Sequence, residues 1–133
     1  MKRALVCEDD LSIRTLVSTI LRREQFTVDV TDNGQQAIEK IDAGRYDLFV
    51  VDLMMPGVDG YGVVRHIREK EPADLKRIVV MTAASEPIRG NFPEPVCTLL
   101  PKPFDLGMLT DIVRKCAREC EERETADADR NAH

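Results

Sequence analysis

The chain has 133 residues, 32% of them charged, with a formal net charge of −5. That length suits one domain with a single core, and the acidic balance gives no electrostatic case for nucleic acid, whose phosphates call for a basic patch. No apolar run approaches the roughly 20 residues that span a bilayer, and Met1-Lys2-Arg3 runs into a strand pattern without the apolar core of a signal peptide, so no membrane partner and a cytoplasmic location are expected.

Ala4-Leu5-Val6-Cys7 reads as a first strand, ending in the acidic run Glu8-Asp9-Asp10. Leu11, Ile13, Leu16, Val17, Ile20 and Leu21 then recur at helical spacing to about Glu24. Phe26 to Thr31 alternates as a short strand, which Asn33-Gly34 breaks. Ala37, Ile38 and Ile41 mark a second helix closing at Gly44. A third strand covers about Asp47 to Val51, and Tyr61, Val64 and Ile67 face a third helix that Gly62 weakens. Further strands are expected over about Arg77 to Met81 and Val96 to Leu100. Between them lie Pro87, Pro93, Pro95 and Gly90, and proline inside a helix costs roughly 3 kcal/mol, so a fourth helix there is limited to a turn or two. A final helix begins near Asp105, an N-cap candidate, with Leu106, Leu109, Ile112, Val113 and Cys116 inward. Residues 1–124 are expected to form the domain, and the polar stretch 125–133 a frayed tail.

The four cysteines make no metal or redox pattern. Cys7 and Cys97 fall in strands expected to be buried, and Cys116 and Cys120 lie four apart on the last helix, too few ligands for zinc. His66 and His133 have no acidic or metal partner nearby in sequence and read as surface residues.

Short apolar runs alternating with helical patterns predict a doubly wound α/β fold with a parallel sheet, whose sites lie beyond the carboxyl ends of the strands. Those ends carry Glu8-Asp9-Asp10, Asp52, Thr82 and Lys102-Pro103. One crevice would gather carboxylates, a hydroxyl and an ammonium, a set suited to a hard metal ion and a phosphoryl group.

Asp52-x-x-Met55-Pro56-x-x-Asp59-Gly60, with the acidic run upstream and Thr82 and Lys102-Pro103 downstream, resembles the receiver domain of two-component response regulators, of the single-domain chemotaxis type. The likeness spans about residues 2 to 120. Asp9 to Asp52 is 43 positions and Asp52 to Thr82 is 30, close to the family; Thr82 to Lys102, at 20, is about two short. The resemblance implies a flavodoxin-like five-stranded sheet in the order 2-1-3-4-5, with a shortened or irregular fourth helix in this chain. That order is the one of the family's chemotaxis member, with the switch point between strands one and three.

Carried over residue by residue, the resemblance implies that Asp52 is the phosphoacceptor, its carboxylate attacking phosphorus to form an acyl phosphate. Asp9 would be a direct magnesium ligand, Glu8 would contribute through a water, and Asp52 and the Met54 backbone carbonyl would complete the protein's share; manganese would be a possible substitute. Thr82 would donate its hydroxyl, and Ala83 its backbone N–H, to a phosphoryl oxygen. Lys102 would pair with the carboxylate and then with a phosphoryl oxygen, and the Lys102-Pro103 bond would be cis. The phosphodonor would be a sensor histidine kinase or histidine phosphotransfer protein, and the receiver of the signal an unnamed downstream protein. Such a domain is a regulator rather than an enzyme, catalysing only its own phosphorylation and hydrolysis.

Three features depart from the family pattern. Leu99 stands where many receivers carry a rotating aromatic switch, the fourth helix is interrupted by prolines, and Met54 and Ala84 are apolar where polar side chains help orient attacking water. The apolar pair predicts a long-lived aspartyl phosphate. Two other readings remain open at this point: a receiver-fold binding module that no longer needs phosphate, and an aspartate-nucleophile phosphatase of the haloacid dehalogenase type. The second expects Asp-x-Asp, whereas Asp52 is followed by Leu53-Met54.

Overall fold

Five parallel strands form, β1 (Lys2–Cys7), β2 (Phe26–Thr31), β3 (Leu48–Asp52), β4 (Ile78–Ala83) and β5 (Thr98–Lys102), with the inner β3 and β4 reading as apolar runs because both their faces are covered. The computed structural model describes residues 2–55, 57–83, 96 and 98–131, with side chains to residue 123. The strands form one sheet in the order β2-β1-β3-β4-β5, the flavodoxin-like order expected. The helices are α1 (Leu11–Arg23), α2 (Gly34–Ala43), α3 (Gly60–Lys70) and α4 (Leu106–Asn131), with a 3-10 turn over Pro72–Arg77. None of the described helices is long and apolar enough to cross a membrane.

Successive strand residues point to opposite faces, and two cores follow from that period. Ala4, Val6, Leu48, Val50, Val79 and Met81 face α1 and α4, where Val17, Leu21, Leu109 and Val113 meet them. Leu5, Cys7, Phe49, Val51, Ile78 and Val80 face α2 and α3, where Ala37, Ile41, Val64 and Ile67 meet them. Cys7, Cys116 and Cys120 are buried in these layers and form no disulfide among the described residues; Cys97 lies outside the described residues.

Side-chain caps start the helices where the sequence places them. Asp10 Oδ1 accepts from Ile13 N–H at 3.0 Å, Asn33 Oδ1 from Gln36 N–H at 2.9 Å, Asp59 Oδ1 from Gly62 N–H at 3.0 Å and Asp105 Oδ1 from Met108 N–H at 2.7 Å. Gly60 is required by contact rather than by φ: a Cβ there would collide with the Asp52 carbonyl oxygen and the Leu53 Cα. The start of α3 is thereby seated directly on the end of β3.

One expectation needs correction. The last helix does not stop near residue 124: its backbone continues to Asn131, since residues 125–131 contain neither proline nor glycine to break the hydrogen-bond ladder. His66, without an acidic partner nearby in sequence, gains one in the fold, because α3 packs beside α2 and brings its Nε2 to 2.7 Å from Asp42 Oδ1, 24 residues away. The interrupted fourth helix falls within residues 84–95, outside the described residues. Pro101 sits in β5, an edge strand, where a missing N–H is tolerated.

Candidate functional site

The register of the sheet assembles the site. β1 pairs with β3 through Cys7↔Val51, so Glu8 and Asp52 leave neighbouring strands at the same level. β3 pairs with β4 through Asp52↔Met81, and β4 with β5 through Thr82↔Pro101 and Ala83↔Lys102. Asp52, Thr82 and Lys102, expected at or just beyond strand ends, are the last or next-to-last residues of their strands.

Glu8, Asp9 and Asp52 bring carboxylate oxygens within 4.8 Å of one another. Glu8 and Asp52 are buried and Asp9 is exposed. Lys102 reaches in from β5, its Nζ 3.0 Å from Glu8 Oε2 and 3.2 Å from Asp52 Oδ2. Burial pushes the Glu8 carboxyl up, to about 7, against the opposing pull of the Lys102 ammonium. Burial works against charge on Lys102 too, but the hydrogen bond and charge of Glu8, with Asp52, outweigh it and hold the ammonium above its ordinary value. Two carboxylates and one ammonium leave a net negative pocket, and burial makes that charge costly without a cation.

Around this centre, Met54 N–H donates to Asp52 Oδ1 at 3.2 Å, and the Met54 side chain is exposed. Thr82 is buried on β4, one residue beyond the partner of Asp52. The Lys102–Pro103 peptide bond is cis. Leu99 is half-buried, packed against the α2–α3 side of the sheet together with Val96. Pro56 and Ala84 lie outside the described residues.

One residue at the site went unremarked in the sequence. Arg14, on the second turn of α1, turns back so that its Nη1 donates to the Glu8 carbonyl oxygen at 3.0 Å. Its signal was a cation near a helix N-terminus, where the macrodipole favours anions.

Hard oxygen donors, two of them buried and three in mutual reach, are the chemistry of a magnesium site, and few enough to leave the ion several waters. A parallel α/β sheet with carboxylates, hydroxyl and ammonium at its switch point defines a class: phosphoryl-handling domains of flavodoxin-like fold. Residues 4–114 match the model of the response regulator receiver domain, and the chain belongs to that family, which serves two-component signalling.

The relatives agree. The transcriptional regulatory protein ResD of Bacillus subtilis is 43% identical over 84 residues, 63% of this chain and 34% of its own. The response regulator ArlR of Staphylococcus epidermidis is 28% identical over 129 residues, 96% of this chain and 58% of its own. The chain thus spans from about a third to somewhat over half the length of these curated relatives. Among solved structures, response regulator TrrA of Thermotoga maritima, in complex with Mg2+-BeF, is 34% identical with a TM-score of 0.73, covering 87% of this chain and 99% of that one. The receiver domain of sensor histidine kinase PA1611 of Pseudomonas aeruginosa, with a magnesium ion in its active-site cleft, is 28% identical with a TM-score of 0.75, covering 87% and 97%.

Proposed function

We propose that Asp52 accepts a phosphoryl group from a phosphohistidine on a sensor histidine kinase or histidine phosphotransfer protein, in a magnesium-dependent reaction. The observation that carries this reading is the meeting of Glu8, Asp9, Asp52 and Lys102 from the ends of three strands. An Asp52 carboxylate oxygen attacks phosphorus, the phosphorus–nitrogen bond breaks, and the imidazole nitrogen leaves with the electron pair. Asp9 and Asp52 would hold the magnesium directly, with Glu8 through a water and the Met54 carbonyl as a further ligand; manganese would substitute. Bound there, the ion would neutralise charge on the transferred oxygens.

Lys102 is already poised beside Asp52, and shifts its ammonium from a carboxylate oxygen to a phosphoryl oxygen as a point charge. Thr82 and the Ala83 N–H supply further donors to the phosphoryl group. The phosphorylated surface is then read by a downstream protein, or the phosphate is relayed. With a net charge of −5, the chain itself is a poor ligand for nucleic acid. A chemotaxis-type single-domain organisation is part of this proposal on sequence resemblance alone; the mass of the protein in its native cell tests it.

Incubation with acetyl phosphate, with and without magnesium, followed by intact mass tests the central claim. A gain of one phosphoryl group that needs magnesium and disappears in Asp52→Asn is expected. No gain from acetyl phosphate or from a histidine kinase would overturn it.

A further inference from the structure

Glu8 is held at several points. Its N–H donates to the Thr31 carbonyl at 3.1 Å, extending the pairing of β1 with β2. Its Oε1 accepts from Asp10 N–H at 3.2 Å, within the acidic turn itself. Its carboxylate meets Lys102, a partner that the phosphoryl group would share. Its carbonyl oxygen accepts from Arg14 Nη1 at 3.0 Å. Of these contacts, the Arg14 bond alone grips the acidic turn with a side chain that touches neither the Glu8 carboxylate nor Asp52.

The placement runs against simple electrostatics. A cation on the second turn of α1 faces the positive end of the helix dipole, and it stands beside a site built to attract another cation. Among the described residues Arg14 forms no ion pair with Asp9 or Asp10; its guanidinium goes to a backbone oxygen instead. A planar guanidinium can fix the direction of a carbonyl because its donors are held in a rigid fork. Fixing the Glu8 carbonyl fixes the peptide plane between Glu8 and Asp9, and so the directions in which the two side chains leave the turn.

We propose that Arg14 is a positioning residue for the divalent cation, holding the Glu8–Asp9 turn so that its carboxylates converge on Asp52. The inference rests on reading the acidic cluster as a magnesium site. Groups that orient metal ligands without touching the metal are a general means of setting metal affinity.

Charge and positioning predict opposite signs, which makes the test decisive. Were Arg14 only a nearby charge, removing it would relieve repulsion and tighten magnesium binding. Were it only a fold-stabilising contact, the metal-free melting temperature would fall while the affinity of the folded protein stayed put. Positioning instead predicts that Arg14→Ala weakens magnesium binding, measured calorimetrically without any phosphodonor, by roughly tenfold. Arg14→Lys, which keeps the charge and a donor, should recover part of that loss. If Arg14→Ala does not fold, Arg14→Gln is read in the same way.

Magnesium uptake by the wild type with equal or tighter binding in the variant would overturn this inference and leave the phosphoacceptor reading standing. A wild type that takes up no magnesium, yet is phosphorylated at Asp52, would sink the metal reading and this inference together.

Discussion

Glu8, buried at the end of β1, is held by Lys102, 94 residues further along, through a 3.0 Å contact between Oε2 and Nζ. The same ammonium lies 3.2 Å from Asp52 Oδ2, so one cation serves two buried carboxylates that the sheet register forces together.

Lys102→Met removes that shared charge. Breaking a buried ion pair from one side costs about 3–5 kcal/mol, and the partial exposure of Lys102 brings the expected loss to about 2 kcal/mol. Magnesium should offset it, because a divalent ion restores the missing positive charge. Thermal melts with and without magnesium should show a larger stabilisation by the metal in the variant than in the wild type. Equal shifts would mean that ion and ammonium do not answer the same negative charge.

Met54 stands two residues beyond Asp52 with its side chain exposed and no polar group to orient a water. The aspartyl phosphate is therefore expected to be long-lived. Met54→Asn should shorten its lifetime by about tenfold, less than the roughly hundredfold or more of a positioned general base, because an amide orients the water without taking its proton. Decay of the phosphorylated mass peak after donor removal measures this, and a wild-type half-life of seconds without a phosphatase would remove the basis of the expectation.

Tyr46 Oη donates to Asp29 Oδ2 at 2.6 Å, and that bond, against burial and with help from Arg3, holds the Asp29 carboxyl below its ordinary value. A carboxyl whose folded value lies below its unfolded one contributes stability fully above the unfolded range, near about 3.9, and loses it as pH falls through the folded value. Tyr46→Phe keeps the ring that meets Phe49 edge-on at 5.8 Å and removes the bond. It should cost about 1 kcal/mol at neutral pH, discounted for the partial exposure of Asp29. The difference from wild type should shrink as pH falls through the lowered folded value, below which the carboxylate is protonated in both states. Melting followed by circular dichroism across that range is the check; a constant difference would mean that packing, not the charged hydrogen bond, carries the effect.

Much of the candidate site was legible in the chain because strand-end residues are marked locally. An apolar run followed by Glu8-Asp9-Asp10, another followed by Asp52, and a third holding Thr82 each announce a carboxyl end, and Asp105 announces the helix that follows it. Asn33 and Asp59 cap through side-chain oxygens to N–H groups only three residues away, a range over which sequence alone is a sufficient guide.

Contacts across the chain were not legible in that way. That Glu8 lies buried against Lys102 while Asp9 stays exposed depends on the register of β1, β3, β4 and β5 and on how Glu8's longer side chain turns inward. Arg14 reaching back to a carbonyl, and His66 meeting Asp42 across two helices, depend on helix placement that no local pattern states. The length of α4 was misread for the opposite reason: polar composition argued for fraying, whereas an unbroken run of residues with backbone N–H groups can carry the helix on. Sequence by itself determined the apolar periods, the caps and the residue types offered at each strand end, since these are properties of neighbouring residues. Only the tertiary structure decided which of those groups share a charge, which are removed from water and which backbone oxygen the Arg14 guanidinium holds, because such energies depend on distance and burial rather than on order along the chain.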